Sequence, residues 1–133
     1  MSYLSEHHLL IQDTLARILE DLCQKEIVDA AERGQFPSSL WEALSETGLT
    51  LTGLPEEHGG SGGDLSDALI VMKGAGKFSA PIPIAENFLS RALCCEFGLP
   101  APKGITTFSH ESFSIAPDGE LIGSSSQTAF GRW

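Results

Sequence analysis

Apolar residues recur at spacings of three and four over several stretches of the chain, and a glycine-dense stretch falls between the second and third of them. From Ser5 to about Arg33, the residues Ile11, Leu15, Ile18, Leu19 and Leu22 mark one face of a helix. Ser5 stands at its N-cap and Glu6 in its first turn, where an acceptor side chain and a negative charge favour initiation. Glu26, Asp29 and Glu32 fall on the outer side, a break near residues 25–27 would divide the helix in two, and Gly34 ends it. Phe36-Pro37 opens the next helix, with Leu40, Trp41 and Leu44 as its apolar face. Ser39 and Glu42 have the spacing of a capping box, and Gly48 takes the position just past the helix end.

Leu49, Leu51 and Leu54 alternate with small polar residues, which predicts a short extended crossing. It leads into Leu54-Pro55-Glu56-Glu57-His58-Gly59-Gly60-Ser61-Gly62-Gly63, which can be neither regular helix nor packed strand. A loop of this kind marks a sharp backbone turn or a close approach, and here it is the pivot between two helical pairs. Asp64 then caps a helix through about Phe78, with Asp67 in its first turn. Leu65, Ala68, Leu69, Ile70, Val71 and Met72 are apolar nearly all round, which predicts burial on several sides, and Gly74 and Gly76 admit a second backbone. Pro81 and Pro83 pre-set a further helix from Ile84 to Phe97, closed by Gly98 and Pro100, with Ile84, Phe88, Leu89, Ala92 and Leu93 facing the bundle.

The pattern changes at Pro100-Ala101-Pro102-Lys103-Gly104. Phe113 and Ile115 alternate as inward positions, Pro117-Asp118-Gly119 is a hairpin turn, and Leu121-Ile122 form the returning strand. Ser124-Ser125-Ser126 and Ala129-Phe130-Gly131 continue in strand or loop. Strands so few make a poor independent sheet. The fold class is therefore mainly α: a helical domain over residues 1–103, then a short, incomplete β segment over residues 104–133 that begins a truncated β domain.

Composition narrows the function classes. At 133 residues the chain can hold one real core, and a formal net charge of −10 with scattered Lys and Arg argues against nucleic acid as a partner. No apolar run reaches the ~18–20 residues of a membrane span. Cys23, Cys94 and Cys95 make no disulfide framework and read as buried thiols in a reducing, cytoplasmic setting. His7 and His8 point about 100° apart on a helix with no third ligand at i+4, so no metal site is assigned and a capping or solvated role is expected. The glycine loop lacks the Gly-Lys-Ser/Thr of a phosphate cradle, Glu56 and Glu57 read as solvated, and His58 has no recognisable nucleophile beside it. Residue types alone reach a soluble acidic helical domain with a β stub.

The order of the pieces carries more. Phe36-Pro37-Ser38-Ser39-Leu40-Trp41-Glu42-Ala43-Leu44-Ser45-Glu46-Thr47-Gly48-Leu49, followed by residues 54–63 and a long apolar helix, resembles the N-terminal helical domain of the acyl-CoA dehydrogenases. The resemblance covers roughly residues 5–123, since Pro102-Lys103-Gly104-Ile105-Thr106 and residues 117–123 look like the way into that family's middle β domain. There are two departures. Lys73-Gly74 stands where the family usually has a Glu-Glu pair, and the segment after Gly104 lacks the frequent flavin-contacting motif. The second departure is similar to shorter, divergent members, several of which act on bulky or steroid-like acyl chains and assemble as mixed oligomers.

The resemblance implies FAD-dependent α,β-dehydrogenation of an acyl-CoA thioester, as in fatty acid β-oxidation, with the hydride passing to the flavin. It implies an electron-transfer flavoprotein or similar acceptor, and a homo- or hetero-oligomer. The family's carboxylate base lies in its C-terminal domain and most flavin contacts lie outside the N-terminal one. No catalytic and no cofactor-binding residue is therefore assigned in this chain, which is expected to be inactive alone. The family's N-terminal domain walls the acyl-chain pocket with the helix matching residues 84–93, which makes Glu86, Asn87 and Ser90 the substrate-binding candidates; the alternative is that they are surface or helix–helix contacts. Two other functions stay open: a non-catalytic helical binding or partner subunit, and a fragment of an acyl-CoA oxidase.

Overall fold

The structure is a computed structural model that describes residues 4–107 and 113–123. Its helices are α1 (Glu6–Leu22), α2 (Lys25–Glu32), α3 (Ser38–Glu46), α4 (Leu65–Lys77) and α5 (Ile84–Glu96), and its strands are β1 (Ser114–Ile115) and β2 (Leu121–Ile122). The first apolar stretch is two helices, broken at Cys23-Gln24, slightly ahead of the expected point. Ser5 caps α1 as expected, and His8 completes the capping box from the third helical position.

α1 lies between α3 and α4 and makes most of the interhelical contact. The core is Leu15 and Leu19 of α1, Leu40 and Leu44 of α3, Val71 and Ala75 of α4, with Leu49 and Ile84; Trp41, Met72, Phe78 and Ile82 pack around it. Full burial of one such leucine contributes about 1.5–3 kcal/mol, so this small set carries much of the stability. At Gly74, α1 and α4 pack tightly: a Cβ there would overlap a Leu15 methyl. The close approach is thus to a side chain, not to a backbone as the spacing suggested.

Several expectations fail locally. No side-chain bond caps α3; Pro37 is its N-cap residue and Ser39 lies inside the helix, so the predicted box with Glu42 does not form. Leu49–Leu51 is a 3-10 turn, not an extended crossing, because Gly48 enters it in the left-handed region at φ 78°. α4 buries one face only: Asp67, Ala68, Val71 and Ala75 face inward while Leu65 and Leu69 are exposed. On α5 the buried positions are Ile84 and Asn87, and Leu89 and Leu93, expected inside, are exposed.

The hairpin forms at Pro117-Asp118-Gly119 with Ser114 opposite Ile122 and Ile115 opposite Leu121. Phe113 and Ile115 are exposed, not inward, since among the described residues no second layer covers the two-residue strands. The expected continuation at residues 124–126 and 129–131 lies outside the described residues.

Candidate functional site

The glycine-dense stretch is a closed loop with its own hydrogen bonds. Pro55 leads into a 3-10 turn at Glu56–His58, and Gly59 reverses the chain at φ 79°. Gly60 N–H then donates back to the Pro55 carbonyl (2.9 Å), Gly62 N–H to Leu54 O (2.9 Å), and Gly53 N–H to Gly62 O (2.8 Å). Gly60 lies so close to Leu54 that a Cβ would stand 2.1 Å from its carbonyl oxygen, which no side chain tolerates. Glu56, Glu57 and His58 are exposed to solvent.

Asp64 ends the loop and caps α4. Its carboxylate accepts from Asp67 N–H (3.1 Å), Asp67 Oδ2 accepts from Asp64 N–H (2.9 Å), and the Ser66 hydroxyl donates to Asp64. The Ser66 hydroxyl, then the Asp67 amide, hold the Asp64 carboxyl below the usual carboxylate range. Asp67 Oδ1 is buried and makes no hydrogen bond, yet His7 Nε2 and His8 Nε2 approach it at 3.4 and 3.2 Å. Each contact is an ion pair when its imidazole is protonated. The two helix starts are thus joined, as His8 already serves the cap of α1. Among the described residues no group of three or more His, Cys, Asp or Glu is arranged to hold a metal ion.

α5 places the three expected site residues differently from one another. Glu86 and Ser90 are half-buried, and Asn87 is only 1% exposed. Residues 86, 89, 90, 93 and 97 fall at helical spacing on one face, where Leu89, Leu93 and Phe97 are open to solvent. Asn87 points the other way. Its amide Nδ2 donates to Thr50 O (3.2 Å), and its Oδ1 accepts from Thr106 N–H (3.3 Å), the Thr106 hydroxyl (3.2 Å) and Arg91 Nε (3.4 Å). Arg91 also donates to Gly104 O (2.9 Å), and the Ser90 and Thr106 hydroxyls touch. The structure so brings in Thr50, Arg91 and Thr106, which sequence reasoning missed. Only the four-residue step from Asn87 to Arg91 was a visible signal.

Among the clefts formed by the described residues, three flank the core. One of about 70 Å³ lies between α1 and α4 under Lys73 and Lys77, and one of about 230 Å³ lies by His7 and the glycine loop. The third, about 480 Å³, runs from α1 and α2 to Phe36 and α3. None of the three is lined by Glu86, Asn87 or Ser90. A flavin dinucleotide does not fit them: the widest offers no Lys or Arg to its diphosphate, and the one with lysines is too small for the ring.

A family model described as the acyl-CoA dehydrogenase N-terminal domain matches residues 5–103. The chain belongs to the acyl-CoA dehydrogenase family. Among its curated relatives are two proteins named acyl-CoA dehydrogenase IpdE2. The one from Mycolicibacterium smegmatis is 32% identical over 102 residues, covering 74% of this chain and 33% of its own length. The one from Mycobacterium tuberculosis is 30% identical over 111 residues, covering 80% and 35% respectively. A probable acyl-CoA dehydrogenase, YngJ of Bacillus subtilis, is 34% identical over 70 residues, covering 50% of this chain and 18% of its own. The chain thus spans about a third or less of the length of these acyl-CoA dehydrogenases. No solved structure matches. No described helix is long and apolar enough to cross a membrane.

Proposed function

We propose that this chain acts as the N-terminal helical part of a FAD-dependent acyl-CoA dehydrogenase and supplies a wall of its acyl-chain pocket from α5. The supporting observation is the open face of that helix, where Leu89 and Leu93 are 49% and 40% exposed with Glu86 and Ser90 beside them. An apolar stripe flanked by few polar groups suits an alkyl chain carrying a polar thioester end. In this reading Glu86 and Ser90 border the pocket, and Asn87 holds the helix from behind. The helical unit ends at residues 103–104 in this reading, with the base, the flavin and contact to an electron-transfer flavoprotein or similar acceptor lying outside it, in a homo- or hetero-oligomer. Exposed Leu65 and Leu69 on α4 equally favour contact with other polypeptide, and by themselves would suit a non-catalytic partner subunit.

Titration of the leucine-methyl-labelled chain by NMR tests the pocket. A long-chain acyl-CoA is expected to move the Leu89 and Leu93 methyl signals, free CoA is not, and Leu89→Glu should abolish the response. Equal shifts with free CoA, or shifts confined to core leucines, would refute it. Added FAD should leave the purified chain without 450 nm absorbance after desalting.

A further inference from the structure

The polar cluster behind α5 joins three parts of the chain that sequence separates: the 3-10 turn through Thr50, α5 itself, and residues 104–106. An asparagine amide has two N–H donors and an oxygen with two lone pairs. Here one N–H goes to Thr50 and the oxygen is filled by Thr106 and Arg91, so a polar side chain lies buried at little cost. The bonds from α5 to residues 104–106 include two to backbone groups, Gly104 O and Thr106 N–H. Such bonds fix a path for the chain and do not merely decorate a surface. Residues 99–105 otherwise have few restraints: Leu99 and Ile105 are exposed, and this stretch forms no regular element.

From this we infer that Asn87, Arg91 and Thr106 form a clasp that sets the direction in which the chain leaves the helical unit, with Asn87 as the positioning residue. The clasp keeps Thr106 against Ser90, at the edge of the open α5 face. Thr106 is then a further lining residue of that face, a consequence that rests on the acyl-pocket reading; the clasp itself does not.

Amide hydrogen exchange on the whole chain tests the clasp without any acyl-CoA. In the native chain the Thr106 amide is expected to exchange roughly tenfold or more slowly than an unstructured amide. The pair Arg91→Met with Thr106→Val removes the guanidinium and hydroxyl while keeping bulk, at positions outside the core. It leaves the bond from the amide at position 106 to Asn87 Oδ1 in place but removes the other ties of residues 104–106 to α5, so exchange at 106 should quicken several-fold while the Leu19 and Val71 amides stay unchanged. Thr106 exchanging freely in the native chain, or unaltered protection in the variant, overturns the inference. Equal loss at Leu19 and Val71 also overturns it, since the cluster would then be core and no separate clasp. None of these results bears on whether the Leu89 and Leu93 methyls respond to acyl-CoA.

Discussion

The glycine loop offers the sharpest quantitative test, because two adjacent glycines are required for different reasons. At Gly60 the backbone conformation is ordinary, but a Cβ would meet Leu54 O at 2.1 Å and Leu54 C at 2.4 Å. A relaxed carbon–oxygen contact is about 3.3 Å, so Gly60→Ala must separate two backbone strands by roughly 1 Å. That opening breaks bonds on both sides of it: Gly60 N–H to Pro55 O, Gly62 N–H to Leu54 O, and Ser61 N–H to Leu51 O (3.0 Å). Each contributes about 0.5–1.5 kcal/mol net, so losing two or three costs roughly 1.5–4 kcal/mol. A domain of this size has about 5–15 kcal/mol in total, and with a urea slope of about 1–3 kcal/mol/M the midpoint should fall by roughly 1–2 M. Gly59 is the control. It sits at φ 79° with nothing within 4 Å of a Cβ, so Gly59→Ala meets only the left-handed penalty of about 1–2 kcal/mol. Gly59→Asn should recover part of that loss, since asparagine tolerates this region. Urea unfolding followed by tryptophan fluorescence and by circular dichroism measures all three variants. If Gly60→Ala loses no more than Gly59→Ala, the close approach is not what demands glycine there.

The same contrast applies within α4: Gly74→Ala should destabilise by about 1–3 kcal/mol through its overlap with buried Leu15, whereas Gly76→Ala, with nothing within 4 Å, should stabilise by up to about 1 kcal/mol in the same urea assay. The depressed Asp64 carboxyl makes a pH prediction. Its folded value lies below its unfolded one, so its contribution is present above the ordinary carboxylate range and lost as pH falls through the folded value. Asp64→Asn keeps a capping oxygen but cannot titrate, so its urea midpoint should trail the native one near neutrality and converge with it in acid.

Local chemistry made most of the elements readable. Ser5, Asp64 and Gly48 each signal a helix end by what one side chain or one left-handed residue does to the nearest peptide groups, and all three sit where such rules put them. Ser39 with Glu42 obeyed the same spacing rule and failed, because Pro37 already sets the start of α3 and the helix begins two residues too early for Ser39 to cap it. The site was less legible. Thr50 and Thr106 lie 37 and 19 residues from Asn87, and no periodicity links them. The glycine loop was recognisable as a bend, but not that Gly60 serves contact while Gly59 serves conformation.

α5 shows why pattern alone chose the wrong side. Its leucines, Leu89 and Leu93, repeat at four residues and so do the residues at 87 and 91, which means both stripes have the helical period. Apolar content favours burying the leucine stripe, worth about 1.5–3 kcal/mol per side chain. Burying an unpaired asparagine costs about 1–3 kcal/mol, so the leucine side should win if nothing else acts. The balance reverses because Thr50, Thr106 and Arg91 together satisfy the Asn87 amide, while Ile84 supplies apolar burial on the same side. With Asn87 at home in the interior, the leucine stripe is left facing outward. The proposed acyl-pocket wall rests on that reversal: Asn87 serves internal fixing, and Leu89 and Leu93 leave an apolar face free to be covered.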